Sequence, residues 1–320
     1  MKRLTYIGYL SIGMLCCAAA FSCSEGDAGS PAGTEDEVTL VNHTFTVNVT
    51  RQAWGDGASE HATRALEGGL EPFAEGDRLS LFSYVNADAE DAESGMENVV
   101  DNVVNVFDGM DWIAEEEMRW KSVLHEQRIL AVYPALEGKQ IDLSNLKYDL
   151  SQGALMLAEV KTKPTTQAVE LQLTHLFSKV DIRVLVGNEY DGGNIVVKGI
   201  RFIGKKDATI NCFTREIMPG MKDGQMDLQQ IGEPVNGVKR FAGVLLPQDY
   251  MPDCLRLVIE ENGVEKELLP EGDLMQLGGG EQTNFRILLG KHAVVMERIG
   301  VEEWGEGGSG GGNITQDMPY

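Results

Sequence analysis

The sequence predicts an all-β protein, and three observations lead there. Short runs rich in β-branched residues alternate apolar and polar side chains at period two, as where Val180, Ile182, Val184 and Val186 share one face. Turn-forming residues separate the runs, most plainly at Asn262-Gly263, which supplies the two positive-φ positions of a type I′ hairpin turn. No long pattern of period 3.6 competes with them. With 320 residues, of which 42% are apolar, the chain has room for two domains with cores of their own.

Taken in order, Met1-Lys2-Arg3 and the apolar run 4–21 have the basic and hydrophobic regions of a secretory leader, assigned to residues 1–22. The run is too short and wrongly flanked for a membrane span. It ends Ala20-Phe21-Ser22-Cys23, which resembles the lipobox of a bacterial lipoprotein, with a small residue directly before the cysteine to be acylated. Cys16 and Cys17 fit less well, since Leu15 precedes the first and Cys16 the second. Residues 23–37 are Gly, Ser, Pro and acids, the composition of a solvated linker.

The first strand is expected within 38–50, with Phe45, Val47 and Val49 on its apolar face. Residues 56–61 cannot continue it, and Thr63-Arg64-Ala65 follows in a turn-rich stretch. One arginine in an exposed loop is a site for a trypsin-like protease. A cut there leaves the first strand held only by sheet contacts, and its departure opens an apolar groove with unpaired backbone groups. The same residues also suit an ordinary edge strand followed by an ordinary loop.

Further strands are expected at 79–85, 118–124, 129–133 and 155–161, with the acidic stretch 87–97 as a long loop. Val99, Val100, Val103, Val104 and Val106 fit either a helix or a strand. A domain boundary is placed near Pro164, dividing 38–164 from 165–304. The second set comprises 168–173, 179–186, 195–202, 241–246, the hairpin 255–269, 283–289 and 292–299, with Gly290-Lys291 as a tight connection between the last two. Residues 294–304 read as strand, and 305–320 form a Gly-rich tail.

Several of these stretches resemble one family. Thr63-Arg64-Ala65 is followed by Phe73-Ala74-Glu75-Gly76-Asp77-Arg78-Leu79-Ser80-Leu81-Phe82-Ser83-Tyr84, then by Ala131-Val132-Tyr133-Pro134, Leu173 to Val180 and Val244-Leu245-Leu246-Pro247-Gln248. Their order through nearly the whole chain is similar to that of the fimbrillin family of Bacteroidetes lipoproteins, the type V pilins. The resemblance implies two β-sandwich domains of transthyretin-like topology in tandem. It also implies a lipid on Cys23 that holds the protein at the outer membrane, and Glu25 and Asp27 resemble the acidic stretch that directs such lipoproteins to the outer face. An Arg-specific maturation protease would cut between Arg64 and Ala65 and release the strand bearing Phe45, Val47 and Val49. Assembly with other pilin subunits into a pilus would follow by strand exchange. Ile299, Val301 and Trp304 are then the candidate donor side chains, while the alternative leaves Trp304 capping the core ahead of a flexible end.

Composition excludes other functions. Against 27 basic residues stand 50 acidic ones, a formal net charge of −23 that repels nucleic acid and anionic lipid surfaces. Cys212 and Cys254 suit either a disulfide or two buried thiols. The histidines at 43, 61, 125, 175 and 292 are scattered, so no metal site is expected, and no cofactor either. Glu115-Glu116-Glu117 and the acids of 88–93 read as solvated loops in so acidic a chain, not as a catalytic carboxylate pair. The Gly runs at 278–280 and 307–312 lack the Lys-Ser/Thr of a phosphate-binding loop. Two functions remain: a fimbrial subunit, or a monomeric surface module that holds a host protein or glycan through Trp54, Trp112 and Trp120.

Overall fold

The computed structural model describes residues 44–51, 73–85, 96–122, 125–190 and 195–303. Its described residues form an all-β fold of two large sheets and two small ones. The first large sheet has seven strands: β1 (Val47–Arg51), β8 (Val169–His175), β7 (Met156–Thr162), β5 (Gln127–Tyr133), β2 (Arg78–Val85), β3 (Glu97–Phe107) and β4 (Trp112–Ala114), in that lateral order. The second has nine, in the order β17 (Val264–Leu268), β16 (Leu255–Glu261), β10 (Ile195–Lys205), β13 (Asp223–Gln230), β14 (Lys239–Leu245), β9 (Ser178–Val186), β20 (Glu281–Leu289), β21 (Val294–Glu303) and β18 (Glu271–Gly272). A three-stranded sheet joins β12 (Glu216–Pro219), β11 (Asp207–Asn211) and β6 (Leu146–Asp149), and β15 (Asp249–Tyr250) pairs with β19 (Met275–Gln276). Among the described residues no helix is long and apolar enough to cross a membrane.

Three apolar cores explain the strand sequences. β2, β5 and β7 are near-continuous apolar runs because both faces are covered. One face sends Leu79, Leu81, Ile129, Ala131, Met156 and Ala158 into a core shared with β1 and β8. The other sends Phe82, Leu130, Val132 and Leu157 into a second core, where Ile210, Cys212 and Phe213 arrive from β11 and the turn after it. A third core lies under the nine-stranded sheet and collects Val180, Ile182 and Val184 of β9 with Phe285 and Ile287 of β20.

Several expectations change on contact with the structure. Val99 to Val106 lie in β3, which settles the helix-or-strand alternative for strand. Asn102 sits in it with φ of 45° where the register with β2 shifts between Leu81 and Ser83, so the strand carries a bulge there. The strand expected at 118–124 is absent among the described residues 118–122, where Arg119 makes only an isolated bridge with Thr44. Met118 and Trp120 alternate because both turn into the first core, not because the segment joins a ladder. β8 follows Pro164 and yet pairs with β7 and β1 in the first sheet, so sheet membership changes between His175 and Ser178. Cys212 and Cys254 are both free, and burial pushes the Cys212 thiol up to about 12. The 255–269 hairpin is present, with Asn262 at φ 53° and Gly263 at φ 78° as its turn demands.

Candidate functional site: the first strand and its groove

β1 sits at the edge of the seven-stranded sheet and runs parallel to β8, with Val47 opposite Val169 and Arg51 opposite Leu173. A parallel neighbour cannot be its hairpin partner, so β1 is joined to strands far along the chain. Alternation puts Phe45, Val47 and Val49 inside, each at most 5% exposed, while Thr44, Thr46, Asn48 and Thr50 face solvent. Just ahead of β1 the chain reaches the opposite margin of the sheet. There the Phe45 amide donates to the Met118 carbonyl oxygen at 2.9 Å, and Thr44 bridges Arg119. The first strand thereby spans the gap between β8 and the segment that follows β4.

Each end of this span has a specific anchor. At the amino end the Phe45 ring lies 4.7 Å from the Trp120 ring, with Met118 in the same core. Midway, Asn48 Nδ2 donates to Glu170 Oε2 at 2.9 Å, and the Val169 amide donates to the Thr46 carbonyl oxygen at 2.9 Å. At the far end the Arg51 guanidinium stands 4.7 Å from the centre of the Phe73 ring. Burying three such apolar side chains stabilises the strand by about 5 to 9 kcal/mol. Without it, β8 would present an unpaired edge above a floor of Trp112, Met118 and Trp120.

The other expected site residues are dispersed. Cys23, Arg64, Ala65, Trp304 and Trp54 lie outside the described residues. Ile299 and Val301 belong to β21, which pairs with β20 along its length, and they are 53% and 43% exposed. Trp112 and Trp120 are 6% and 5% exposed, so they are core residues and not the exposed aromatics that a surface binding module needs. Glu115, Glu116 and Glu117 each hold a cation, respectively Arg78, Lys139 and Arg119. His175 is buried in β8. Met118 and the anchoring partner Glu170 carry no motif of their own in the sequence. The spacing of Met118 and Trp120 is the sequence signal for this core, and it also fits a strand.

A family model described as fimbrillin-like matches residues 63–304, which leaves β1 just ahead of the match. No curated protein matches the chain. Among solved structures, it is similar to a candidate cell adhesion protein from Bacteroides ovatus at TM-score 0.57 and 15% identity, over 82% of this chain and 98% of that one. A second candidate cell adhesion protein, from Bacteroides uniformis, gives TM-score 0.53 and 18% identity over 72% of this chain and 93% of its own. A fimbrial protein from Bacteroides vulgatus also matches, at TM-score 0.48 and 10% identity over 71% and 92% of the two chains. At such identities the two adhesion-protein structures speak to the fold, whereas the family match covers most of the sequence. The chain belongs to the fimbrillin-like family.

Proposed function

We propose that this protein is a pilus subunit that is exported, lipidated on Cys23, matured by cleavage after Arg64 and polymerised by exchange of its first strand. The observation that carries the reading is the topology of β1. It precedes the connection 52–72, which contains Arg64, and its ladder is with β8 and not with β2, the next strand along the chain. A cut in that connection therefore converts β1 into a separate peptide held without covalent connection, by one parallel ladder, the Met118 hydrogen bond, the Thr44–Arg119 bridge, the Asn48–Glu170 and Arg51–Phe73 contacts and three buried side chains. A strand from another subunit could then complete both the hydrogen bonds and the core. In this reading the donor is the carboxyl-terminal stretch bearing Ile299, Val301 and Trp304, whose β21 part has to leave its ladder with β20 to donate, and the partners are other pilin subunits, an Arg-specific protease and the outer membrane. Adhesion to a host protein or glycan would be the business of the assembled fibre. The monomeric alternative is less well supported, because two of its three tryptophans are buried.

Limited trypsin digestion of the soluble mature protein, followed by intact-mass analysis and native electrophoresis, tests the proposal. We expect one cut after Arg64, loss of the peptide containing Phe45 and a ladder of stable oligomers. Resistance at Arg64, or a cut product that keeps the strand and stays monomeric, would overturn it in favour of the binding module.

A further inference from the structure

We propose that the first half of the molecule carries a binding cavity for a neutral saccharide, built around Arg78, Asn102, Glu115, Glu116, Tyr133 and Lys139. The cavity has a volume of about 650 Å³, and small-molecule sites commonly span about 300 to 1,000 Å³. It is framed by the start of β2, the middle of β3, the residues after β4 and the turn that follows β5. Tyr133, Pro134 and Leu136 give it an apolar wall against which the face of a sugar ring can pack.

The polar side is arranged in fixed pairs. Arg78 Nη2 donates to Glu115 Oε1 at 2.8 Å. Lys139 Nζ donates to Glu116 Oε1 at 2.8 Å and to the carbonyl oxygens of Asp101 and Asn102 at 3.1 and 3.2 Å. Donors and acceptors thus stand side by side, which suits hydroxyl groups that do both.

Asn102 fixes the wall of the cavity by tying β3 to the turn after β5. It is 3% exposed and lines the cavity, and its Nδ2 donates to the Leu136 and Gly138 carbonyl oxygens at 3.0 and 2.5 Å. Its Oδ1 is buried and has no hydrogen-bond partner among the described residues.

Charge narrows the ligand further. Asp77, Glu115, Glu116 and Glu137 surround the cavity against two cations, so an anionic ligand is repelled. Glu115 and Glu116 already hold Arg78 and Lys139, so only Asp77 and Glu137 are left to attract a cation, an attraction that the spermidine probe below measures. A neutral, hydroxyl-rich molecule meets no such repulsion and can use the paired donors and acceptors. No residue of β1 or β8 lines the cavity, so exchange of the first strand would leave its lining in place.

The test is to screen the intact protein against a panel of neutral oligosaccharides, with spermidine as a cationic probe, and to titrate any hit by ligand-observed NMR. Expected is saturable binding of at least one neutral glycan, weakened about tenfold by Glu116→Gln and by Arg78→Ala, as loss of one charge-assisted hydrogen bond implies. Both side chains are about half exposed, so unchanged melting temperatures should confirm that the variants remain folded. Failure of the whole neutral panel, binding of spermidine alone, or glycan binding indifferent to both substitutions would overturn the proposal.

Discussion

Lys179 is the residue whose surroundings work hardest against it. It lies in β9 with no solvent exposure, flanked in register by Val244 on β14 and Gln282 on β20. Burial lowers its pKa from 10.5 to about 6, and Arg240 adds to that fall while Asp181 and Glu302 oppose it. Asp181 is itself engaged by Arg240, whose Nε donates to its Oδ1 at 2.9 Å. Between the two pKa values the unfolded chain holds a proton that the folded chain has released, so this group makes stability rise as pH climbs through that window. Below it, the folded state must bury a charge. Lys179→Met removes the linkage, so the variant should gain most over the parent at about pH 5 and progressively less towards about pH 9, with a slope of up to ~1.4 kcal/mol per pH unit. Urea unfolding of both proteins across that range provides the measurement. A difference that does not change with pH would show that Lys179 keeps its proton in the folded protein.

At the scale of the element, β1 is held by its inward side chains more than by its length. Phe45→Ala should cost about 3 to 5 kcal/mol, because it empties a site beside Trp120 in a well-packed core. The exposed neighbour Thr46→Ala, which keeps the carbonyl oxygen bonded to Val169, should stay within about 0.5 kcal/mol. Chemical denaturation of the uncut protein tests the contrast, and equal costs would mean that the apolar face does not hold the strand. That face was legible in the sequence because Phe45, Val47 and Val49 repeat at the strand period, as was the 255–269 hairpin from Asn262-Gly263. The partner of β1 was not legible. Parallel pairing with β8 is a long-range contact that leaves no turn motif behind, and the same pairing draws residues beyond Pro164 into the first sheet. Met118 and Trp120 misled for a related reason, since side chains two apart in a loop can face one core without any ladder. Asn102 gave no pattern at all, because an unpaired oxygen is a property of its neighbours and not of its place in the chain.

Across the whole molecule, the middle core decides whether the two large sheets unfold together. Arg128 of β5 makes a bidentate pair with Glu159 of β7, Nε to Oε1 at 2.8 Å and Nη2 to Oε2 at 2.9 Å. The same Nη2 donates to the Phe213 carbonyl oxygen at 3.2 Å, and the guanidinium lies 4.9 Å from the centre of the Phe213 ring. Phe213 follows β11, and it also meets Tyr84 of β2 edge-on at 5.4 Å. A single buried cation therefore ties the seven-stranded sheet to the chain that continues into the nine-stranded one. The parent protein should unfold in one transition, with calorimetric and van't Hoff enthalpies that agree. Arg128→Ala leaves Glu159 without its cation and Phe213 without its donor, and removing one partner of such a pair costs about 3 to 5 kcal/mol. The loss falls on the joint and on the first sheet, not on the core under the nine-stranded sheet. Differential scanning calorimetry of Arg128→Ala should accordingly resolve two transitions, the lower shifted down and the upper near the parent's. One undivided transition at a lower temperature would instead mean that the apolar contacts of the middle core, from Phe82 to Ile210 and Leu246, couple the sheets without help from the ion pair.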